Sequence, residues 1–223
     1  MTDINQKILK FNYDKNFQVD DFYISKSNDH ILKFFDKWPK WEKNFLNIIG
    51  EKYSGKTHLI KIFLKKNLGM KIDAKFLDNE KLKEARLYQN IVLENFDRNI
   101  NEKLAYTFFD FIEQQNKYLI VTSTIPIVNI NFNLDDLRSR CKNFILQEIN
   151  KPDDELIFAL IVKNLSDRQI LLDKKLINYI VKRIERSYSK IFDLIYKIDE
   201  ISLKKKRSID LKIIKEVMEE LIE

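Results

Sequence analysis

An eight-residue stretch in the first quarter of the chain could bind phosphate. Residues 50–57 fit the pattern G-x-x-x-x-G-K-[ST] at every fixed position. In this pattern, backbone N–H groups and the N-terminus of the following helix surround an anion. The lysine reaches the terminal phosphates, and the last hydroxyl binds Mg²⁺. The predicted nucleotide contacts are Gly50, Glu51, Lys52, Tyr53, Ser54, Gly55, Lys56, Thr57 and His58.

The surroundings of this loop support the prediction. Residues 46–49 form an apolar stretch with the length of a short strand, and residues 58–64 continue as a helix. Average usage would give a chain of 223 residues about 16 glycines. This chain has three, and two of them, Gly50 and Gly55, lie in the loop. Glycine is needed where a backbone takes positive φ or approaches a ligand closely. The alternative is a chance match in an ordinary strand, turn and helix.

Polar residues follow two later apolar strands. Glu94 comes directly after residues 91–93, and a carboxylate at this place is the expected Mg²⁺ partner of Thr57. A hydroxyl-rich stretch follows residues 118–121 and consists of Thr122, Ser123 and Thr124. These hydroxyls could sense a γ-phosphate or a water molecule. Turn and cap chemistry explains them equally well.

The elements that must position these residues change in type along the chain. Apolar strands at 46–49, 70–77, 91–93, 118–121 and 144–146 alternate with helices, which predicts a five-stranded parallel sheet covered by helices. From residue 151 onward the strand signals end. Amphipathic helices are predicted instead at 153–165, 173–186, 189–203 and 210–221. The predicted parts are an N-terminal segment 1–20, an α/β nucleotide-binding domain 21–150 and a small all-helical lid domain 151–223.

Two helix ends carry recognisable signals. Asn28 or Ser27 is predicted to cap a helix over 30–37, and Gly69 is predicted to end the helix that follows the loop. Trp38 and Trp41 stand just upstream of the loop. We expect these aromatic rings to be buried in the core, and contact with a nucleotide base is the alternative.

Composition excludes several classes of protein. One cysteine, Cys141, cannot form an intrachain disulfide, and with two histidines it provides no metal cluster. No apolar run approaches the ~20 residues of a membrane span, and the N-terminus lacks a signal-peptide core. We therefore expect a cytoplasmic protein. A net charge of +6 permits contact with nucleic acid without requiring it, and the basic run at 204–207 favours a solvated turn.

A short peptide near the N-terminus could recognise a partner. Residues 6–11 place a glutamine before aliphatic and aromatic side chains, namely Gln6, Ile8, Leu9 and Phe11. Such a peptide suits docking in an extended form into an apolar cleft. From the residues alone, a strand that packs on the domain is an equal alternative.

The order of these features resembles the AAA+ plan, and its details resemble the DnaA-related family. The segments that carry the resemblance open the domain (22–28), form the loop and helix (55–59), end the fourth strand (121–126) and form a short helix (134–140). Within the family the chain is most similar to the Hda group of short DnaA paralogues. The sequence of the short helix, the peptide at 6–11 and the end of the chain after the lid favour that group.

The resemblance implies a set of roles. Proteins of the Hda group bind the DNA-loaded sliding clamp through the hexapeptide, and they stimulate hydrolysis of the ATP held by DnaA, which blocks re-initiation. Arg140 would be the arginine finger inserted in trans, with a surface ion pair as its alternative role. Thr122, Ser123 and Thr124 would form sensor 1. Contact with DNA would be indirect, through the clamp, and self-association into a homodimer is known in the group.

The departures from the family imply a weak enzyme. Asn95 stands where a second acidic residue is usual, and an amide cannot act as a general base near neutral pH. Ser189, next to Lys190, stands where the family has the sensor 2 arginine. Lys7 stands where the clamp-binding peptide usually has an aliphatic residue. We therefore expect bound ADP or ATP with Mg²⁺, ADP being favoured, and little or no intrinsic ATPase activity.

Two other functions stay open at this point. The complete loop and the basic charge would suit an autonomous ATPase, such as a helicase loader, that needs no DnaA. The net charge and the basic run at 204–207 would suit a non-enzymatic interaction module or DNA-binding paralogue, whose DNA binding would depend steeply on salt.

Overall fold

The computed structural model describes residues 22–97, 99–205 and 209–221, without the side chains of residues 204 and 205. The peptide predicted at 6–11 therefore lies outside the described residues, as do the side chains of the basic run at 204–207.

Five parallel strands form one sheet in the order β2-β3-β4-β1-β5. The strands are β1 (Phe45–Ile49), β2 (Gly69–Asp73), β3 (Asn90–Glu94), β4 (Tyr118–Ser123) and β5 (Ile145–Glu148). In register, Ile49 pairs with Ser123 and Asp73 pairs with Glu94. The carboxyl ends of β1, β2, β3 and β4 therefore meet at one edge. The predicted α/β fold with a five-stranded parallel sheet is confirmed.

Helices cover both faces of this sheet because neighbouring residues of its central strands point to opposite sides. On β3, Ile91 and Leu93 pack in one apolar cluster, and Val92 packs in the other. The helices associated with the sheet are α1 (Asp29–Phe35), α2 (Lys56–Lys66), α3 (Asn79–Glu84), α4 (Glu102–Gln114) and α5 (Asp135–Cys141). Trp41 is buried and stacks on the rings of Phe34 and Phe63. It is thus a core residue, as the sequence favoured.

Four helices follow the sheet and enclose an apolar cluster of their own. They are α6 (Asp154–Ser166), α7 (Lys174–Val181), α8 (Tyr188–Lys205) and α9 (Leu211–Glu220). An aspartate precedes three of them, and its side chain accepts a hydrogen bond from a backbone N–H in the first turn: Asp153 for α6, Asp173 for α7 and Asp210 for α9. This bundle is the predicted all-helical lid.

Two predicted boundaries were wrong for local reasons, and one predicted cap residue has the expected position without the expected bond. Asn28 occupies the N-cap position of α1, but its Oδ1 accepts from the backbone N of Ser25 and makes no cap bond. The strand predicted over 70–77 ends at Asp73, because the Asp73 side chain accepts from the backbone N of Lys75 and starts a 3-10 turn. Gly69 does not end α2, which stops at Asn67, and is instead the first residue of β2.

Gly69 is required for close packing, and we expect Gly69→Ala to destabilise the fold by roughly 1–3 kcal/mol, as overpacking in a core does. An added Cβ would lie 2.5 Å from the backbone oxygen of Asn90 and 2.8 Å from a methyl group of Leu64. Urea unfolding would measure the loss. The control is Leu68→Ala, one residue earlier, because Leu68 is 82% exposed and its truncation should cost little. Equal stability of Gly69→Ala and the unmodified chain would refute the packing argument.

Candidate functional site

The phosphate-binding pattern lies at the carboxyl edge of the sheet, between β1 and α2. Gly55 has φ of +95° and is the N-cap of α2, a left-handed conformation that favours glycine. A Cβ on Gly50 would lie 2.6 Å from the hydroxyl of Ser54 across the turn. The backbone conformation therefore favours glycine at position 55, and the packing of the Ser54 side chain favours it at position 50.

Lys56 begins α2 and turns its side chain back over the loop. Its Nζ donates to the backbone oxygens of Gly50, at 2.6 Å, and Glu51, at 2.9 Å. Burial lowers the pKa of Lys56 to about 8, although the charges of Glu51 and Glu94 oppose this shift. The ammonium thus lies inside the curve of the loop, where a phosphate would meet it.

A cavity of about 500 Å³ opens in front of the loop. Its walls come from the loop and α2, from the segments after β3 and β4, and from one lid residue. The lining residues are Lys52, Tyr53, Ser54, Gly55, Lys56, Thr57, His58, Asn95, Phe96, Asp97, Ser123, Thr124 and Phe192. Most of the predicted loop residues therefore share one cavity with Ser123 and Thr124 of the predicted sensor.

Glu94 ends β3 at the sheet edge and is 6% exposed. Its Oε2 accepts from Nζ of Lys71, on β2, at 3.0 Å. Its Oε1 is buried and has no hydrogen-bond partner among the described residues. Mg²⁺ in nucleotide sites is usually held by one or two carboxylates together with phosphates and water. Glu94, with one carboxylate oxygen still available, and Thr57 fit an ion that arrives with the nucleotide.

Asn95 takes the place of a second acid, and its exposed side chain is hydrogen-bonded to the neighbouring strand. Its backbone has φ of 58°, a conformation that asparagine tolerates. Its Nδ2 donates to Oδ2 of Asp73 at 2.7 Å, and its backbone N donates to the Thr122 hydroxyl at 3.2 Å. Sequence reasoning missed Asp73, because the strand predicted over 70–77 hid the end of β2.

The hydroxyls of the predicted sensor 1 have different surroundings. Thr122 and Ser123 are buried, and the Ser123 hydroxyl donates to the backbone oxygen of Ile125 at 2.7 Å and accepts from Asn47 at 2.9 Å. Thr124 is exposed and lines the cavity. The hydroxyls of Thr122 and Ser123 are thus bonded to other protein groups, and the exposed Thr124 is better placed to contact a ligand.

The loop also contacts the lid directly. The Glu51 carboxylate accepts hydrogen bonds from the Ser187 and Ser189 hydroxyls and from the backbone N of Tyr188 at 2.8 Å. Burial raises the pKa of Glu51, but these hydrogen bonds outweigh it and hold the pKa below its ordinary value. The Tyr53 ring stacks on Phe192 of α8 at 4.8 Å. We call these interactions the loop–lid contact.

The two lid residues predicted to bind nucleotide, Ser189 at the sensor 2 position and the adjacent Lys190, both bond to other protein groups. Ser189 is bonded to Glu51, and the Lys190 Nζ donates to the backbone oxygen of Leu221 at 2.6 Å. Neither residue lines the cavity. Phe192 does line it, and sequence reasoning missed this residue because its spacing on α8 is that of an ordinary core aromatic.

Arg140 lies in the last turn of α5, away from the residues that line the cavity. Its guanidinium forms ion pairs with Asp110 and Glu113 of α4 and lies over the Tyr106 ring at 5.5 Å. At the other end of α5, the Glu102 carboxylate accepts from the backbone N of Leu134 at 2.7 Å. The helix that carries Arg140 is therefore attached to α4 at both ends.

The lowered pKa of Lys56 predicts that nucleotide affinity depends on pH. A bound phosphate favours the charged amine, so the pKa of Lys56 should rise on binding. Below about pH 7 the amine is already charged, and affinity should be constant. Above about pH 8, binding must take up a proton, and affinity should fall by up to about tenfold per pH unit. Calorimetry in buffers of different ionisation enthalpy measures that proton. Lys56→Arg should bind without the uptake, and a flat profile for the unmodified chain would contradict the prediction.

Comparison with known proteins agrees with this fold. Residues 153–218 match the family described as the Hda lid domain. DnaA, the chromosomal replication initiator protein of Buchnera aphidicola subsp. Cinara cedri, is 24% identical over 97% of this chain and 55% of its own length. An uncharacterized Haemophilus influenzae protein is 23% identical over 90% of this chain and 95% of its own length. The chain thus spans about half the length of the first of these relatives.

Solved structures show the same fold. Domain III of Thermotoga maritima DnaA superimposes with a TM-score of 0.72 at 17% identity, covering 94% of this chain and 98% of that chain. AMPPCP-bound DnaA from Aquifex aeolicus gives a TM-score of 0.66 at 20% identity, covering 91% of this chain and 70% of that chain. The RuvB Holliday junction branch migration motor of Thermotoga maritima gives 0.58 at 15% identity, covering 86% and 68% of the respective chains.

The parallel sheet, the glycine-containing loop at its carboxyl edge and the helical lid match the α/β fold of an AAA+ domain, as the DnaA and RuvB structures have it. None of the described helices is long and apolar enough to cross a membrane. The match of its lid and its similarity to DnaA support a DnaA-related AAA+ protein that resembles Hda.

Proposed function

We propose that this chain is an Hda-like regulator of chromosomal replication initiation that binds an adenine nucleotide and acts on DnaA. The Hda-type lid and the similarity to DnaA support a DnaA-related regulator of initiation. The AMPPCP present in a structural neighbour supports an adenine nucleotide as the ligand. The proposed division is a nucleotide-binding domain over 21–150 and a lid domain over 151–223.

One observation carries the proposal. The loop that binds phosphate is complete, while the position that would activate water is occupied by Asn95, whose amide is bonded to Asp73 at 2.7 Å. An amide has no useful proton affinity near neutral pH and cannot act as a general base. The site therefore suits a nucleotide that is held and not hydrolysed. We propose bound ADP with Mg²⁺ held indirectly by Glu94 and Thr57, and little or no intrinsic ATPase activity.

In this proposal, Arg140 acts in trans to stimulate the hydrolysis of ATP held by DnaA. A guanidinium placed beside a γ-phosphate stabilises the charge that develops in phosphoryl transfer. The hydrogen bond between the backbone N of Leu134 and Glu102 of α4 supports this role, because it holds the start of α5 without using the Arg140 side chain. To reach a partner's phosphate, Arg140 must exchange its ion pairs with Asp110 and Glu113 for the phosphate oxygens. The peptide at 6–11 would bring the chain to the DNA-loaded sliding clamp.

Two measurements on the purified chain test this function. Chromatography after denaturation should find about one ADP per chain, as expected for a tightly held ligand. ATP hydrolysis by DnaA from the same organism should accelerate only when this chain and the DNA-loaded clamp are both added. Rapid ATP hydrolysis by the chain alone, abolished in Lys56→Ala, would favour an autonomous ATPase. Tight DNA binding without the clamp would favour an interaction module.

A further inference from the structure

We infer that Lys71 serves as a built-in counter-ion for the Glu94 carboxylate, so that the nucleotide binds with little dependence on Mg²⁺. This inference rests on the proposed binding of a nucleotide in the loop. It goes further by assigning a role to Lys71, a residue outside every motif identified in the sequence, and by naming the free nucleotide, without a divalent ion, as a bound form.

The sheet brings Lys71 to Glu94. Strands β2 and β3 are parallel, with Asp73 paired to Glu94 and Lys71 paired to Val92. Because side chains two residues apart on a strand share a face, Lys71, Asp73 and Glu94 all lie on the same side of the sheet. The Lys71 Nζ lies 3.0 Å from Oε2 of Glu94, and the Lys71 side chain is 41% exposed while that of Glu94 is 8% exposed. The lysine thus approaches the buried carboxylate from solvent.

Positive charge already surrounds Glu94. Lys71 pairs with one of its oxygens, and Lys56 is close enough for the Glu94 charge to act on its pKa. The adjacent Asp73 carboxylate accepts from the Asn95 amide and from the backbone N of Lys75. A Mg²⁺ ion held through Oε1 of Glu94 would therefore stand near two carboxylates, of Glu94 and Asp73, and near two ammonium groups that offset their charge. Its attraction to the protein is reduced by their repulsion.

The same charges favour the phosphates themselves. In phosphate sites that depend on Mg²⁺, the ion neutralises phosphate oxygens and is held by a carboxylate. Here Lys71 pairs with one oxygen of that carboxylate and offsets its charge, and Lys56 lies where it would meet the phosphates. The ion then contributes little to the free energy with which the nucleotide binds. Removing Lys71 would leave the Glu94 charge uncompensated and would restore the need for the ion.

Titration with N-methylanthraniloyl-ADP, in millimolar Mg²⁺ and in EDTA, tests this inference. For the unmodified chain, the two dissociation constants should differ by less than about threefold, a weak coupling between ion and nucleotide. Lys71→Met should bind well in Mg²⁺ and about tenfold or more weakly in EDTA. Lys71→Arg should keep the behaviour of the unmodified chain. Lys75→Met is the matched control, because it removes a lysine just beyond β2 whose Nζ contacts the Phe76 ring.

The outcomes separate this inference from the proposed function. A strong Mg²⁺ dependence that is equal in the unmodified chain and in Lys71→Met would overturn the role of Lys71 and leave nucleotide binding intact. No binding in either buffer would overturn nucleotide binding, and the role of Lys71 with it. Circular dichroism shows whether Lys71→Met folds. If Lys71→Met does not fold, the ratio of the dissociation constants in EDTA and in Mg²⁺, measured for the unmodified chain and for Lys71→Arg, decides whether Lys71 has this role.

Discussion

Replacing Arg140 by alanine is expected to reduce the clamp-dependent stimulation of DnaA by about 10³-fold, the lower end of what arginine fingers contribute. The reason is electrostatic, because the guanidinium would stabilise charge on the γ-phosphate that DnaA holds. Binding of nucleotide to this chain should not change, since Arg140 does not line the cavity. Release of phosphate from DnaA-bound ATP, in the presence of the loaded clamp, measures the effect.

Arg138→Ala is the matched control for that experiment. Arg138 lies on the same helix two residues earlier, is 47% exposed and pairs with Asp135. Its removal deletes the same charge from α5 and should leave most of the stimulation in place. Loss of the Arg140 side chain should disturb the fold little, because Leu137 and Cys141 keep α5 buried against the sheet domain. Undiminished stimulation by Arg140→Ala would assign Arg140 to surface ion pairing with Asp110 and Glu113.

Lys56→Ala is expected to weaken nucleotide binding by about 100-fold, the upper end of what one charge-assisted hydrogen bond contributes. The Lys56 ammonium already lies within 2.6–2.9 Å of two loop carbonyl oxygens, so little rearrangement is needed for it to meet a phosphate. Isothermal calorimetry with ADP measures the change. The amount of ADP that copurifies with the variant should fall in parallel.

A second loop lysine provides the comparison for Lys56. Lys52 is exposed, and its Nζ lies 4.9 Å from the centre of the Tyr53 ring. Lys52→Ala therefore removes a loop charge without removing the amine that lies inside the curve of the loop. We expect it to bind ADP within about threefold of the unmodified chain, as for a solvent-exposed charge. Equal losses in both variants would show that net charge, and not the position of Lys56, governs affinity.

The sheet and the loop could be predicted because their signals are local. Strand, glycine and helix signals follow one another over residues 46–64, and the alternation of strands with helices determines a parallel sheet. The glycine pattern was informative because both loop glycines meet a local requirement, a positive φ at Gly55 and close packing against the Ser54 side chain at Gly50. Gly69 shows the limit of such signals. Glycine is needed at this position because the backbone of Asn90, on the neighbouring strand, leaves no room for a side chain. The sequence around Gly69 does not indicate this contact.

The charged contacts of the site could not be predicted, because each joins residues far apart in sequence. Glu51 meets the start of α8 across 136 positions, Arg140 meets Asp110 across 30, and Lys71 meets Glu94 across 23. Lysine is common throughout this chain, so Lys71 carried no signal until the register of β2 and β3 placed it beside Glu94. Sequence therefore located the site, and only the packing of strands and helices shows which charges share it.

The loop–lid contact has a consequence for how the protein could be regulated. In many switch proteins, loss of the terminal phosphate releases one segment of the structure. The position of that segment then shows whether the bound nucleotide has been hydrolysed. Here the hydrogen bonds of Glu51 and the stacking of Tyr53 on Phe192 join the loop directly to the lid. We expect these contacts to hold the lid in place when a terminal phosphate is lost, so that a change of nucleotide moves the lid little.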